Sequence, residues 1–115
     1  MVKQMDILFA KKKLQKDFND EKELVRTYGR LCRKIKLRMN VLRAAPNLAF
    51  VPTDPPDRCH ELIGGRTCTF AVDLIHPHRL VFKPSENPPP RKKDGGIDKE
   101  RITSITIIEV VNYHD

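Results

Sequence analysis

The first fifth of the chain carries one short apolar run and one apolar pair. The run Met5-Asp6-Ile7-Leu8-Phe9 predicts a strand, either at an edge or in the centre of a sheet. The segment 11–19 places Leu14 and Phe18 four residues apart, which is the spacing of one helix face. The pattern therefore predicts a strand followed by a first helix.

A longer amphipathic pattern follows. Asp20, with Glu23 three residues later, is a D-x-x-E variant of the capping box and predicts the start of a second helix. Pro46 disfavours helical backbone at the preceding Ala45, so we expect the helix to end near that residue. Between these limits the apolar residues recur in steps of three and four, at Leu24, Tyr28, Leu31, Ile35, Met39 and Leu42.

The C-terminal half changes to the patterns of strands. Residues 67–74 alternate apolar with polar or small side chains, which predicts a half-buried strand. Residues 102–111 are apolar on both faces over much of their length, so we expect a central strand there. Shorter apolar runs predict strands at 59–63 and 79–83. The segments 47–58 and 84–100, with several prolines in or beside them, predict loops, the second long and mobile.

These elements predict an α+β fold in the order β-α-α-β-β-β-β. Two N-terminal helices packed on one face of a small, mostly antiparallel, twisted sheet would bury both apolar stripes. A length of 115 residues suits one domain covering 1–115, with a single core.

The net charge of the chain bears on the class of molecule that it could bind. Twenty-two Lys and Arg against fifteen Asp and Glu give a net charge of +7, which attracts polyanions or acidic proteins. The second helix also carries Lys36, Arg38 and Arg43, and a cationic helix face of this kind can equally be an ordinary solvated surface. The basic residues that could contact a nucleic acid are Arg26, Arg30, Arg33 and Lys34 on the second helix and Lys83 in a strand.

The cysteines and the hydropathy of the chain indicate its cellular compartment. Cys32, Cys59 and Cys68 form no C-x-x-C motif and leave one unpaired in any pairing, which favours a reducing cytosol and buried packing for all three. We therefore expect no metal and no cofactor. No stretch reaches the length of a membrane span and no apolar signal region opens the chain, so a cytoplasmic protein without membrane contact is predicted.

Residues spread over nearly the whole chain carry a family resemblance. They include Lys11-Lys12-Lys13-Leu14, the sequence from Leu24 through Tyr28-Gly29 to Leu42, His60-Glu61-Leu62 with Gly64, Leu74 with Pro77, Arg79-Leu80 and Phe82, and Ile105 to Val111 with Tyr113-His114. In order and spacing the chain resembles the RelE/ParE superfamily of type II toxin–antitoxin toxins, specifically the HigB-like plasmid maintenance killer proteins.

This resemblance implies a RelE-like fold and a ribosome-dependent mRNA endonuclease that inhibits translation. It also implies a helix-turn-helix antitoxin, HigA-like, that neutralises the toxin and forms with it a complex that binds operator DNA. The sequence departs from the family pattern at three places. Asn112 stands where such toxins commonly end in Asp-Tyr-His, Ile63 stands where related nucleases carry a lysine, and Asp73 and Leu74 stand where a basic residue is often found.

The chemistry of RNA cleavage selects the candidate site residues. Attack by the substrate's own 2′-OH needs a proton acceptor, cations against the phosphate oxygens and an acid for the leaving 5′ oxygen. His114 is the candidate acid or base, and Tyr113 can donate a proton or stack on a base. Arg79 is the candidate for phosphate stabilisation, because its fork can bind two oxygens, and Arg66 can add a second positive charge.

Each of these candidates also has an ordinary structural explanation. Tyr113 and His114 can simply pin the last strand to the sheet, and Arg79 can pair with Asp73 or Glu109 in a surface ion pair. We expect His60 to pack against its neighbours or to cap a turn, and His76 and His78, which flank Pro77 in a turn, to face solvent. At the level of function, the alternatives are a non-enzymatic inhibitor of DNA gyrase in the manner of ParE, or a basic nucleic-acid-binding domain without toxicity.

Overall fold

A computed structural model describes residues 3–63 and 68–112 of the chain. These residues form an α+β fold whose helices precede most of its strands, in the predicted order. The helices are α1 (Lys12–Asn19), α2 (Glu21–Tyr28) and α3 (Cys32–Ala44), and the strands are β1 (Asp6–Phe9), β2 (His60–Glu61), β3 (Phe70–Asp73), β4 (His78–Pro84) and β5 (Ser104–Asn112). No helix in the described part is long and apolar enough to span a bilayer.

The predicted second helix is divided into α2 and α3 by a 3-10 turn, Gly29–Leu31. Its start is as predicted, because the Asp20 carboxylate accepts hydrogen bonds from the backbone N–H groups of Lys22 and Glu23, at 2.9 and 3.4 Å. The break occurs at Gly29, whose φ of +52° and ψ of −122° lie outside the helical region and suit only glycine well. The prediction of one unbroken helix is therefore wrong at this residue.

The five strands form one mixed sheet in the order β1-β5-β4-β3-β2. Only β1 and β5 pair in parallel; the other neighbours are antiparallel, so the sheet is mostly antiparallel as predicted. Strand β5 has a partner on each side, which confirms its predicted interior position, whereas β1 is an edge strand. The long pairing of β4 with β5 brings His78 opposite Asn112 and Arg79 opposite Val111.

The apolar stripe of the predicted second helix faces the sheet. Leu24, Ile35, Met39 and Leu42 are almost completely buried in one core with the strand residues Phe70, Val72, Leu80, Phe82, Ile105 and Ile107. Burial of this kind stabilises a fold by roughly 1.5–3 kcal/mol for each large side chain. Helix periodicity thus located the core correctly.

Strand β3 differs from its prediction because both of its faces are buried. Phe70 and Val72 lie in the core as expected, but Ala71 on the opposite face also has no exposed surface. Ala71 is paired with His60 on β2 and with Val81 on β4, so neighbouring strands flank it on both sides. The alternating pattern predicted a strand that is buried on one face only, and this prediction is wrong for the face that carries Ala71.

The loop before β2 and the segment before β5 are both ordered by backbone hydrogen bonds. The proline-rich segment between α3 and β2 is tied to the fold by backbone bonds, from Leu48 to the carbonyl of Ile102 and from Asp73 to the carbonyl of Asp57. The segment before β5 contains a turn closed by an isolated bridge between Arg91 and Ile97. Cys32 and Cys59 are buried as expected. Cys68 is only partly buried, so the prediction of buried packing is wrong for this residue, whose Sγ accepts a hydrogen bond from the exposed Arg91.

Candidate functional site

A cleft of about 190 Å³ lies between α3 and the turn that joins β3 to β4. Its titratable lining consists of four cationic side chains, one carboxylate and two imidazoles: Lys34, Arg38, Arg58, Arg79, Asp73, His76 and His78. Among the described residues, the larger groove on the other flank of α3 contains only two cations, Lys36 and Arg43. Positive charge focused in a concave site of this kind attracts phosphate groups.

The secondary structure explains why these side chains meet. Lys34 and Arg38 are four residues apart on α3 and therefore lie on one face of that helix. Asp73 at the end of β3 and Arg79 near the start of β4 are direct cross-strand partners, so they share a face of the sheet. The turn between them is closed by backbone hydrogen bonds from Leu74 to the carbonyl of His78 and from His78 to the carbonyl of Ile75.

Asp73 is the centre of the charge network. Its carboxylate accepts two hydrogen bonds from Arg58, from Nε at 2.7 Å and from Nη2 at 3.1 Å. The guanidinium of Arg79 forms a longer ion pair with the same carboxylate, 3.7 Å from Nε to Oδ1. The hydrogen bond to Asp73 raises the pKa of Arg58, so this side chain is cationic at every accessible pH. One carboxylate thus holds two guanidinium groups at the mouth of the cleft.

Arg38 forms the floor of the cleft and is buried, contrary to its prediction as part of a solvated cationic surface. Its Nε donates to the main-chain oxygen of Asp73 at 2.6 Å and its Nη2 to that of Pro56 at 3.2 Å. Its Nη1 lies 3.5 Å from the Asp57 carboxylate, which is also buried. With these partners the buried charge of Arg38 is compensated.

Arg58 is held in an uncommon backbone conformation. Its φ is +46°, in the left-handed region that side chains other than glycine seldom adopt. Its N–H donates to the carbonyl of Asp54 at 2.9 Å, and its own carbonyl accepts a hydrogen bond of 2.7 Å from Nδ1 of His60. His60 thus caps this turn, as expected. Strain kept by surrounding contacts is common at binding sites.

The two histidines of the β3–β4 turn differ from one another. His76 is exposed, as predicted, whereas His78 is only partly exposed and its Nδ1 is buried without a hydrogen-bond partner among the described residues. His78 is also the cross-strand partner of Asn112, the last residue of β5. The C-terminal end of β5 therefore lies at the same end of the sheet as the cleft.

The sequence-predicted site residues divide into three groups. Arg79 and Lys34 lie together in the cleft. Arg26, Arg30 and Arg33 are exposed outside it, and Lys83 lies at the far end of β4, in a separate cavity that also contains Cys68. Arg66, Tyr113 and His114 lie outside the described residues.

Arg26, Arg30, Arg33 and Lys34 also do not share one helix. Arg26 is on α2 and is paired with Glu23 at 2.6 Å, Arg30 lies in the 3-10 turn, and Arg33 and Lys34 begin α3. The prediction of four adjacent cations on a single long helix is therefore wrong in its geometry, although each of the three arginines is exposed.

The ion pair of Arg79 with Asp73 was offered above as the structural explanation of Arg79, and the structure confirms it. The contact of Arg58 with Asp73, in contrast, was not found from the sequence. The two residues are fifteen positions apart and meet through the pairing of the strands and the path of the proline-rich loop. No local periodicity reports such a contact. The only local signal is the Pro55-Pro56-Asp57 segment before Arg58, which indicates a turn but not the direction of the side chain.

A larger groove, of about 290 Å³, lies on the other flank of α3. Its base is formed by Leu24, Ile35 and Met39, and Glu21 and Lys36 form an ion pair at its rim. It lacks the convergence of cations and imidazoles found in the cleft. In the described ranges 3–63 and 68–112, no three His, Cys, Asp or Glu side chains converge as a metal site would need.

No protein-family model, no curated protein and no solved structure matches the chain. The chemistry of the cleft therefore carries the functional interpretation.

Proposed function

We propose that this chain is the toxin of a type II toxin–antitoxin system, a HigB-like member of the RelE/ParE superfamily that cleaves mRNA on the ribosome. The observation that carries the proposal is the convergence of four cationic side chains beside the C-terminal end of β5, after which Tyr113 and His114 follow in the sequence. RNA cleavage by 2′-OH attack needs cations and a proton-transfer group at one phosphate.

In this mechanism Arg79 and Lys34 bind the non-bridging oxygens of the scissile phosphate. Both line the cleft, and neither side chain is fully exposed. Cations placed where negative charge develops stabilise the transition state, and removal of one such group commonly lowers the rate by about 10²–10³-fold. The Arg79 guanidinium can offer two parallel N–H groups to one phosphate.

His114 is the proposed general acid or base, and Tyr113 the residue that donates a proton or stacks on a base. Asn112, directly before them, is paired with His78 at the cleft end of the sheet. Arg66 is proposed to add a further positive charge. Asn112 cannot accept a proton, so in this chain no carboxylate at that position orients the histidine.

Docking on the ribosome is assigned to the exposed arginines outside the cleft. Arg26, Arg30 and Arg33 are exposed, and Lys83 adds a cation on β4. Such phosphate contacts give affinity and salt dependence without sequence choice. The cytoplasm is the proposed site of action, because ribosomes are found there, and a helix-turn-helix antitoxin of the HigA type is the proposed neutralising partner.

Growth and cleavage assays test this function. Induced expression should stop growth, and primer extension should show cuts within translated codons. Arg79→Ala and His114→Ala should each relieve arrest and lower cleavage by about 10²-fold or more. Arg101→Ala is the matched control, because Arg101 forms an exposed pair with Asp98 away from the cleft. Full toxicity of both site variants would refute the assignment.

A second function, nucleic-acid binding without cleavage, is favoured by one observation. The guanidinium of Arg79 already has a carboxylate partner in Asp73, and Asp73 lowers the net charge of the cleft. A protein that binds RNA with salt-dependent affinity but produces no cuts would support this alternative. Induced DNA damage with intact mRNA would instead indicate a ParE-like inhibitor of DNA gyrase.

A further inference from the structure

The contact between Arg58 and Asp73 has the geometry of an anion-binding site that is already occupied. The Arg58 fork gives two parallel hydrogen bonds to one carboxylate, with Arg79 on the same carboxylate from the neighbouring strand. A phosphodiester accepts the same pair of N–H donors as a carboxylate does. The arrangement of the two guanidinium groups is therefore equally suited to a phosphate.

The backbone around Arg58 indicates that this arrangement is specified by the fold. Arg58 keeps a positive φ of 46°, and the turn is held by Asp54, by His60 and, one residue earlier, by the buried pair of Asp57 with Arg38. A free surface arginine would need no such support. Left-handed backbone at a residue other than glycine costs of order 1–3 kcal/mol and persists only where the surroundings impose it.

The ion pair is also accessible enough to exchange. The side chains of Arg58, Asp73 and Arg79 are 40, 31 and 24 % exposed. Partly exposed ion pairs contribute little free energy, so a competing anion can replace the carboxylate. Lys34, on the opposite side of the cleft, adds a positive charge that favours the incoming anion.

We propose that Arg58 and Arg79 form a phosphate-binding pair of the cleft, and that Asp73 occupies this pair in the free protein and is displaced by the phosphate of bound RNA. The naming of RNA as the source of the phosphate rests on the function proposed above. Arg58 is then a substrate-binding residue, and Asp73 lowers affinity for RNA because its carboxylate competes for the guanidinium groups and repels the phosphate. No bond is made or broken in this exchange.

Replacement of Asp73 by its neutral isostere tests the competition. Asp73→Asn should bind a short fluorescently labelled single-stranded RNA about twofold to fivefold more tightly than the wild type, measured by anisotropy at fixed salt. Asp98→Asn is the matched control, because Asp98 also pairs with an arginine but lies outside the cleft. Arg58→Gln should weaken binding, and in Arg58→Gln/Asp73→Asn most of the gain from Asp73→Asn should disappear.

A folded Asp73→Asn protein that binds RNA no more tightly than the wild type would overturn the proposal, because Asp73 would then be only a support for Arg58. If Asp73→Asn does not fold, the wild-type protein still gives an answer. The Nε–H resonance of Arg58, which donates to Asp73, should shift on titration with inorganic phosphate at constant ionic strength. An Arg58 Nε–H resonance that stays unchanged at saturating phosphate would also contradict the proposal.

The outcomes also separate this inference from the proposed function. Growth arrest and mRNA cuts, without tighter RNA binding by Asp73→Asn, would support the nuclease function and contradict the displacement of Asp73 by phosphate. Tighter phosphate or RNA binding by Asp73→Asn, with no cleavage by the wild type, would support the displacement of Asp73 and contradict the nuclease function.

Discussion

Arg38 on α3 and Asp57 in the proline-rich loop form a buried ion pair beneath the cleft. The Nη1 and Oδ1 atoms are 3.5 Å apart, and the two side chains are 5 and 11 % exposed. The same guanidinium donates to the main-chain oxygens of Asp73 and Pro56. A single side chain therefore joins the helix layer, the loop and the end of β3, and the position of Arg58 depends on it.

Replacement of Arg38 by methionine should destabilise the protein strongly. The substitution leaves the Asp57 carboxylate buried without its partner, and breaking a buried pair in this way costs about 3–5 kcal/mol. Urea unfolding should report this loss in the free energy of unfolding. Arg43→Ala, at an exposed position in the last turn of the same helix, should change the free energy by less than about 0.5 kcal/mol.

The double variant Arg38→Met/Asp57→Asn separates the charge effect from the packing effect. Because Asp57→Asn removes the stranded charge, the double variant should recover part of the stability lost in Arg38→Met. If Arg38→Met alone were as stable as Arg43→Ala, Arg38 would not hold the loop, and the account of how Arg58 is positioned would be wrong.

Gly29 should be intolerant of alanine for a backbone reason alone. A Cβ at this position would meet no atom within 4 Å, but the φ of +52° and ψ of −122° are strained for any L side chain. We expect Gly29→Ala to lower the free energy of unfolding by about 1–3 kcal/mol in urea titrations. Thr27→Ala, exposed on α2, serves as the control. Equal stability of the two variants would contradict the strain.

The parts of the fold that the sequence predicted are those set by local periodicity. The stripe from Leu24 to Leu42 identified the helix face that meets the sheet, because that repeat requires only neighbouring residues. The break at Gly29 was missed because the apolar spacing continues across it. The burial of both faces of β3 was not predicted, because Ala71 is small and counts as neither clearly apolar nor clearly polar in an alternating pattern.

The cleft was predictable only in part for a different reason. Arg79 was selected for its chemistry and Lys34 for its helix, and the structure brings these two together. The contact of Arg58 with Asp73 depends on the strand register and on the left-handed turn at Arg58, and neither is written in any short window of sequence. Arg38 was counted with the surface cations because helix periodicity gives the face of a residue but not the loop that covers it.

Stability should fall in alkaline solution because of Cys59. Burial raises the pKa of this thiol from 9.0 to about 11. The unfolded chain therefore loses the proton first as pH rises, so the stabilising contribution is complete below about pH 9 and is lost progressively up to about pH 11, by about 2–3 kcal/mol in total.

Urea unfolding of wild type and Cys59→Ala at pH 8 and pH 10.5 measures this contribution. The alkaline loss should be smaller in Cys59→Ala. Burial and the nearby Asp17 also raise the pKa of Tyr28, but that contribution has the same sign in both proteins and cancels in the difference. An identical alkaline loss in the two proteins would show that the Cys59 thiol does not titrate as described.

The exposed arginines between α2 and α3 should set the salt dependence of ribosome binding. Arg30→Glu/Arg33→Glu reverses one charge in the 3-10 turn and one at the start of α3, and each phosphate contact removed should lower the slope of log K against log salt by about 1. Lys92→Glu/Lys93→Glu, in the exposed turn before β5, gives the same change in net charge at another place. We expect the first pair to flatten the slope by about 2 and the second to change it little. Equal slopes for the two variants would mean that net charge alone attracts the protein to RNA, and would remove the assignment of docking to Arg30 and Arg33.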